Sequence, residues 1–441
     1  MERRKTTIVC AHSIYPNVKS SEGIVNMNWC EIVQKNENND LYLLSSDTTV
    51  RTNKNKYYKL LENTMSKKLV TLFNATNFEK KSFLSIVYKG LNFIYVKSNI
   101  DTNGLSLYQF IWTIIQSKNL KKIVKDNDDS IVVWSRILPV FSLLPVINAY
   151  SINKFPLIVN VNDPLDTSDL NSSTQEETIF LKTRDIASCW TFPSLSLAKY
   201  MAGKYKLDSS RCFVIPHAMK DQENLFVFSK KFKSPFKIVY TGTFYKSAFT
   251  ERFGENLKKF SNDEISKNIN FVFILSQYDN DSIEWLKNNI PNCEIHYKLP
   301  RESVMEIIRG ADCMLVVDSI LHFDLLKGKL VEAISTGIPI LSITYSNSVM
   351  DKVTIEYGGF VAYHDVHDDI YKKLVNLVTL LNDSAWQQAF YSKRNSVISR
   401  VSESNILKIT NDISQYALNN FLFKMGKSSL KPEIPNNLNW P

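Results

Sequence analysis

Short β-branched and aliphatic runs alternate along this chain with longer stretches whose apolar positions recur every three or four residues. The first pattern is that of a buried parallel strand and the second that of an amphipathic helix, so their alternation predicts α/β units around parallel sheets. In the first half the predicted strands are 6–11, 41–45, 91–96, 130–134, 157–161 and 212–215, the last closed by Pro216. Predicted helices lie at 24–34, 105–123 and 194–205. A second series of strands follows at 237–240, 271–275, 294–297, 313–317 and 340–343. The segment 220–234 between the series is polar and Lys-rich and reads as a linker, and residues 383–423 are helical in pattern. Ser402 or Ser404 is placed to cap the last helix. The expected architecture is therefore two Rossmann-like domains, 1–218 and 219–400, followed by a C-terminal helix and polar tail, 401–441.

The length agrees, since 441 residues exceed what one hydrophobic core usually holds. A composition of 44% hydrophobic and 22% charged residues excludes a disordered chain. Six scattered cysteines with no C-x-x-C pair argue against a zinc site or a disulfide frame and predict reduced thiols in a cytoplasmic protein. The longest apolar region, 137–150, is broken by Pro139, Pro145 and Asn148. It falls short of the ~20 residues that a spanning helix needs. The formal net charge of +9 admits anionic substrates, an anionic membrane surface or nucleic acid. With no zinc-finger spacing and no aromatic RNA-binding motif, nucleic acid is the weakest of the three and is not an expected partner.

The stretch richest in chemistry is 311–344, ADCMLVVDSILHFDLLKGKLVEAISTGIPILSIT. A strand ends in a polar loop, a helix starts near Gly328, and Gly337 with Pro339 ends it before the next strand. The start of such a helix offers unpaired N–H groups and a positive dipole end, which suit a diphosphate. Lys329 adds charge in the first turn, Glu332 is placed to accept hydrogen bonds from a cis-diol such as a ribose, and Asp324 precedes it by eight residues in the loop. The plainer alternative is a Glu that favours the helix start and a solvated Lys.

The run KGKLVEAISTGIPIL resembles the donor-binding segment of retaining glycosyltransferases of the GT-B fold, family 4 and its neighbours. Segments 185–218, 237–244 (KIVYTGTF), 299–316 and 357–360 (YGGF) resemble other parts of that family in the same order. The resemblance implies two Rossmann-like domains facing across a cleft, with the C-terminal helix crossing back to the first. It implies transfer of a hexose-type sugar from a nucleotide-diphosphate donor to an acceptor hydroxyl, with retention and no metal. A nucleotide sugar serves as co-substrate and no other cofactor is needed. Glu332 matches the family's ribose-binding Glu, and Asp324 stands where the family has a Glu contacting the donor sugar. Gly328 and Lys329 are assigned to the donor phosphates. Gly242 matches a glycine turn that a basic pair follows, with Lys246 and Arg252 both candidates for neutralising the diphosphate. The loop 12–23, with its one glycine Gly23, matches a glycine-containing loop near the diphosphate. Asp163 follows Asn162 where many members carry a catalytic-side His-Asp; it reads either as a group orienting the acceptor or as a turn carboxylate before Pro164.

The D-x-D pairs at 126–128 and 279–281 have metal-chelating spacing but sit in Asn/Asp-rich turns, so no metal is expected. The expected partners are a nucleotide sugar, a glycan or lipid-linked glycan acceptor, and an anionic membrane surface for a peripherally bound enzyme of polysaccharide assembly. The rival readings are an epimerase or hydrolase on the same fold and a non-catalytic binding protein.

Overall fold

The computed structural model of the chain describes residues 5–14, 21–36, 39–45, 70–71, 105, 107–126, 131–165, 174–218, 235–243, 247–276, 280–291, 293–320, 325–435 and 440–441. The chain divides into two compact units, Met1–Ala218 with Ile406–Trp440, and Met219–Asn405 with the terminal Pro441.

The first unit is built on strands β1 (Lys5–Cys10), β2 (Asn39–Leu44), β3 (Val70–Thr71), β4 (Ile131–Ile137), β5 (Leu157–Val161), β6 (Cys189–Phe192) and β7 (Cys212–Val214). All pair in parallel, in the order β3-β2-β1-β4-β5-β6-β7. Helices α1 (Ser21–Gln34), α2 (Leu107–Asp126), α3 (Leu144–Tyr150), α4 (Thr174–Leu181), α5 (Thr183–Ile186) and α6 (Leu195–Tyr205) connect them. The central strands are buried along their length, which is why they read as mostly apolar runs rather than alternating ones.

The second unit repeats the scheme. Strands β8 (Phe236–Gly242), β9 (Ile269–Leu275), β10 (Cys293–Tyr297), β11 (Cys313–Val317), β12 (Ile340–Thr344) and β13 (Phe360–Tyr363) pair in parallel in the order β10-β9-β8-β11-β12-β13. Helices α7 (Glu251–Ser261), α8 (Asn280–Asn289), α9 (Arg301–Arg309), α10 (Gly328–Thr336), α11 (Val349–Tyr357), α12 (Asp369–Leu381) and α13 (Ser384–Val401) flank it. Both orders reverse direction beside the first strand of the unit, which is the doubly wound arrangement.

The last helix, α14 (Glu403–Lys424), belongs to the first unit, as the family resemblance implies. Its Ile406, Ile413, Tyr416 and Ala417 join the core formed by Trp29, Trp134, Ile158 and Phe213. The indole N–H of Trp29 donates to Thr410 and that of Trp134 to Ser414, both at 3.3 Å, so neither ring is buried with an idle donor. The second core is rich in Phe, with Phe236, Phe253, Phe260, Phe271 and Phe273 among its buried members.

Three departures from the sequence reading have local causes. The strand β6 is four residues long and its sequence CWTF carries no aliphatic run, and β13 begins directly after a glycine pair; neither gives a clear periodic signal. The helical stretch 383–423 is broken at Ser402, whose extended backbone (φ −62°, ψ 150°) ends α13. Its hydroxyl accepts from the Asn405 N–H at 3.4 Å, so Ser402 rather than Ser404 caps α14. The strand expected at 91–96 and the linker at 220–234 lie outside the described residues.

Gly359 sits where β13 meets β12. A Cβ there would lie 2.8 Å from the Ile340 carbonyl oxygen and 2.9 Å from Thr354 Cγ2. Gly359→Ala is therefore expected to push the two strands apart at a cost of about 1–3 kcal/mol. Urea unfolding measures this, and an unchanged midpoint contradicts it.

Candidate functional site

In open doubly wound sheets the binding crevice lies outside the carboxyl ends of the strands where the order reverses. In the second unit that point is between β8 and β11. The strand β8 ends at Gly242 with φ 142°, a backbone that an L side chain rarely adopts, so the residue at this turn must be glycine. The Tyr240 hydroxyl donates to the Thr243 carbonyl at 3.0 Å and fixes the turn from beneath.

On the other side of the switch point β11 runs into Asp318, which is fully buried. Its Oδ1 accepts from the Ser319 N–H at 2.9 Å and its Oδ2 from the Thr344 hydroxyl at 3.0 Å. Lys327 Nζ lies 3.3 Å from Oδ1. Burial pushes the Asp318 pKa up, and Lys327 with the two hydrogen bonds works against that rise. The pair ties the end of β11 to the start of α10, because Lys327 is the N-cap residue of that helix. Its side chain makes no capping hydrogen bond, so the first-turn N–H groups gain no side-chain acceptor from it. Among the described residues no heavy atom beyond the helix backbone and the adjoining residues comes within 4 Å of the place a Cβ would occupy at Gly328, so the helix start is open on that side.

Glu332 lies one turn into α10 and is only 2% exposed. Lys329 Nζ is 3.1 Å from its Oε2, and Arg301 Nη1, from the first residue of α9, is 2.8 Å from its Oε1. Burial acts to raise the carboxyl's pKa, but the Lys329 and Arg301 charges outweigh it and hold the group below the usual range. Glu332 is thus an ionised, enclosed carboxylate beside an open helix N-terminus, and Lys329 is engaged with it rather than merely solvated.

Arg252 is placed differently. Its Nη1 donates to the His364 carbonyl at 3.2 Å, and it lines an open cleft of about 440 Å3 with Thr250, Glu251, Glu255, Tyr345, His364 and Asp365. His364 Nε2 lies 3.2 Å from the Asp318 carbonyl oxygen, which can only accept, so Nε2 carries the proton. Nδ1 then accepts from the Thr250 hydroxyl at 3.2 Å, while that hydroxyl accepts from the Phe253 N–H as the cap of α7. Burial lowers the His364 pKa to about 4, which keeps this neutral tautomer in place. The cleft walls are therefore linked through His364 to Asp318 and on to the start of α10.

The switch point of the first unit lies between β1 and β4, and a buried polar cluster gathers beside it. Arg136, on β4, donates from Nε to Asn26 Oδ1 at 2.6 Å, and Asn26 Nδ2 donates to the Ser13 carbonyl at 2.8 Å. Asn162, just past β5, donates from Nδ2 to Glu22 Oε1 at 2.8 Å. Glu22 keeps some solvent access but is packed closely on its protein side, and burial pushes its pKa up to about 7, with Arg136 opposing and Asp163 adding to the rise. Gly23 stands in the first turn of α1 and not in the loop that the family comparison suggested, because the helix begins at Ser21.

A carboxyl whose folded pKa is raised stabilises the fold fully below its unfolded pKa, and that contribution is lost as pH rises through the folded value. Glu22 thus penalises folding increasingly between pH 4.5 and about 7. His364 and His12, both lowered to about 4 by burial, act in the opposite sense over an overlapping window. The isolating comparison is Glu22→Gln against wild type. The variant is expected to gain in melting temperature at pH 8 relative to wild type, with the gain gone by pH 4. A pH-independent difference contradicts the assignment.

Of the residues singled out in the sequence, Gly328, Lys329 and Glu332 converge at one helix start, with Gly242 across the same switch point, while Arg252 is engaged with His364. Asp163 belongs to the first unit's polar cluster. Asp324 and Lys246 lie outside the described residues, as do Asp279, Asn127 and Asp128 of the D-x-D pairs. Among the described residues no group of three His, Cys, Asp or Glu side chains is placed to hold a metal ion. Arg301, Asp318, Glu22 and Arg136 escaped the sequence reading, although a charge inside the buried run IVVWSRI was a usable signal for Arg136.

No family model and no curated protein matches this sequence. Solved structures match over nearly the whole chain. Anabaena HepE, in complex with UDP and glucose, superposes with a TM-score of 0.60 at 11% identity, covering 93% of this chain and 100% of that one. A Staphylococcus aureus TarM variant, in complex with fondaparinux, α-GlcNAc-glycerol and UDP, gives 0.63 at 10%, covering 93% and 99%. The N-terminal domain of Candida albicans trehalose-6-phosphate phosphatase gives 0.62 at 10%, covering 94% and 97%. At such identities the likeness is one of fold: the chain has the α/β architecture of two Rossmann-like domains that the GT-B resemblance implies.

Proposed function

We propose that this protein is a glycosyltransferase that moves a sugar from a nucleotide-diphosphate donor to an acceptor hydroxyl. The observation that carries the reading is the ionised Glu332, enclosed between Lys329 and Arg301 at the open N-terminus of α10 beside the β8/β11 switch point. The fold's likeness to HepE and TarM, whose structures hold UDP, supports it. Glu332 binds the ribose. The N–H groups of Gly328 and its neighbours, with Lys329 and either Lys246 or Arg252, hold the diphosphate, and Asp324 contacts the sugar. In the first unit, Asp163 beside Glu22 and Asn162 orients the acceptor.

In the reaction the bond between the anomeric carbon and the phosphate oxygen breaks, its electron pair going to the diphosphate, and the acceptor oxygen bonds that carbon as its proton passes to the departing diphosphate. The protein's part is to place the two substrates and to stabilise charge growing on the departing diphosphate. The transferred group is a hexose, its configuration is retained, and no metal takes part. The acceptor is a glycan or lipid-linked glycan in polysaccharide assembly, reached by a cytoplasmic enzyme whose net charge of +9 draws it to an anionic membrane surface. Release of nucleoside diphosphate from a panel of UDP- and GDP-hexoses, with oligosaccharide acceptors and with EDTA present, tests the reading. NMR of the product's anomeric proton reports the configuration. Transfer that stops in EDTA refutes metal independence, and an inverted product refutes retention.

A further inference from the structure

The two oxygens of Glu332 are held unequally. Oε2 accepts a hydrogen bond from Lys329 Nζ at 3.1 Å. Oε1 is enclosed, and Arg301 Nη1 lies 2.8 Å from it, yet at an angle that makes no directed hydrogen bond. Among the described residues no other group donates to Oε1. A buried carboxylate oxygen whose near partner makes an ion-pair contact rather than a directed bond keeps hydrogen-bonding capacity that another donor can use. The residue covering it is also the one free to leave. Glu332 is fixed within α10 at 2% exposure, whereas the Arg301 side chain starts a different helix and is 28% exposed.

We infer that Arg301 is a latch over Glu332, displaced when a ribose hydroxyl of the incoming nucleoside diphosphate donates to Oε1. This rests on the donor-site reading above and adds to it the residue that sets ribose selectivity. A hydroxyl supplies the directed bond that Arg301 fails to make, and the displaced guanidinium regains water. A nucleotide lacking both ribose hydroxyls makes no such bond and leaves the latch closed.

The test is calorimetric titration of wild type, Arg301→Gln and Arg301→Lys with UDP, GDP and ADP, and with the 2′,3′-dideoxy form of whichever binds. The ratio of ribonucleotide to dideoxynucleotide affinity is the readout, because loss of one positive charge affects both ligands alike. A partly exposed ion pair of this kind corresponds to a rise in that ratio of about two- to fivefold in Arg301→Gln. Arg301→Lys, which keeps the charge, is expected to fall between the two, and thermal unfolding of each variant checks that the fold is intact. A ratio that is unchanged or lower in Arg301→Gln, with wild-type binding present, overturns the latch and leaves the donor site standing. Failure of every nucleotide to bind any of the three proteins overturns the donor-site reading and the latch with it.

Discussion

Glu332→Ala is expected to weaken nucleotide binding about 10- to 100-fold, the size of a lost hydrogen bond to a buried charge. Transfer at low donor concentration falls in proportion. Stability should change little, because the two cations left behind, Arg301 and Lys329, are 28% and 43% exposed and can turn to water. Glu332→Gln keeps one acceptor oxygen and is expected to fall between wild type and the alanine variant. Binding by calorimetry and folding by thermal denaturation separate the two effects. A variant that unfolds more readily and yet binds nucleotide normally contradicts the assignment on both counts.

Asp318→Ala is expected to show the opposite balance. Asp318 is fully buried and accepts from the buried Ser319 N–H and the buried Thr344 hydroxyl; without it both bonds are lost, and the hydroxyl is left with Ser348 Oγ at 2.8 Å. Removing one member of such a buried network destabilises by about 3–5 kcal/mol. The loss is read from the urea unfolding midpoint, and a change below about 1 kcal/mol counts against the network. Asp318→Asn retains an acceptor for the Ser319 N–H and is expected to recover part of the loss. Since Asp318 anchors Lys327 at the N-cap position of α10, the alanine variant should also bind nucleotide less tightly while it remains folded.

The two sheets were legible in the sequence because their central strands are buried and read as mostly apolar stretches without alternation, as in IVVWSRI and INFVFIL. The short strand CWTF was not legible, since four residues with two aromatics carry no period. The helix that holds Glu332 was legible at both ends, from the open Gly328 to Gly337 and Pro339, so Glu332 could be placed one turn in. Arg301 could not be found this way. It is 31 residues earlier in the chain, on a helix start after β10, and only the packing of α9 near α10 brings it to Glu332. Gly23 lies in a helix rather than a loop for a local reason: α1 begins at Ser21, ahead of the glycine. Glu22 itself fell in the expected loop 12–23 and carried no signal of its own. Its raised pKa comes from burial, with Asp163 adding to the rise and the hydrogen bond from Asn162, 140 residues away in sequence, opposing it.

The most direct test of the central claim is a thermal-shift panel of UDP, GDP, ADP, CMP and their sugar conjugates on wild type and Glu332→Ala. A ligand that binds the native state raises its apparent stability by mass action. The account predicts a rise with the nucleotides of one base, shared by the free diphosphate and its sugar and lost in Glu332→Ala. No rise with any nucleotide, or an equal rise in both proteins, contradicts it.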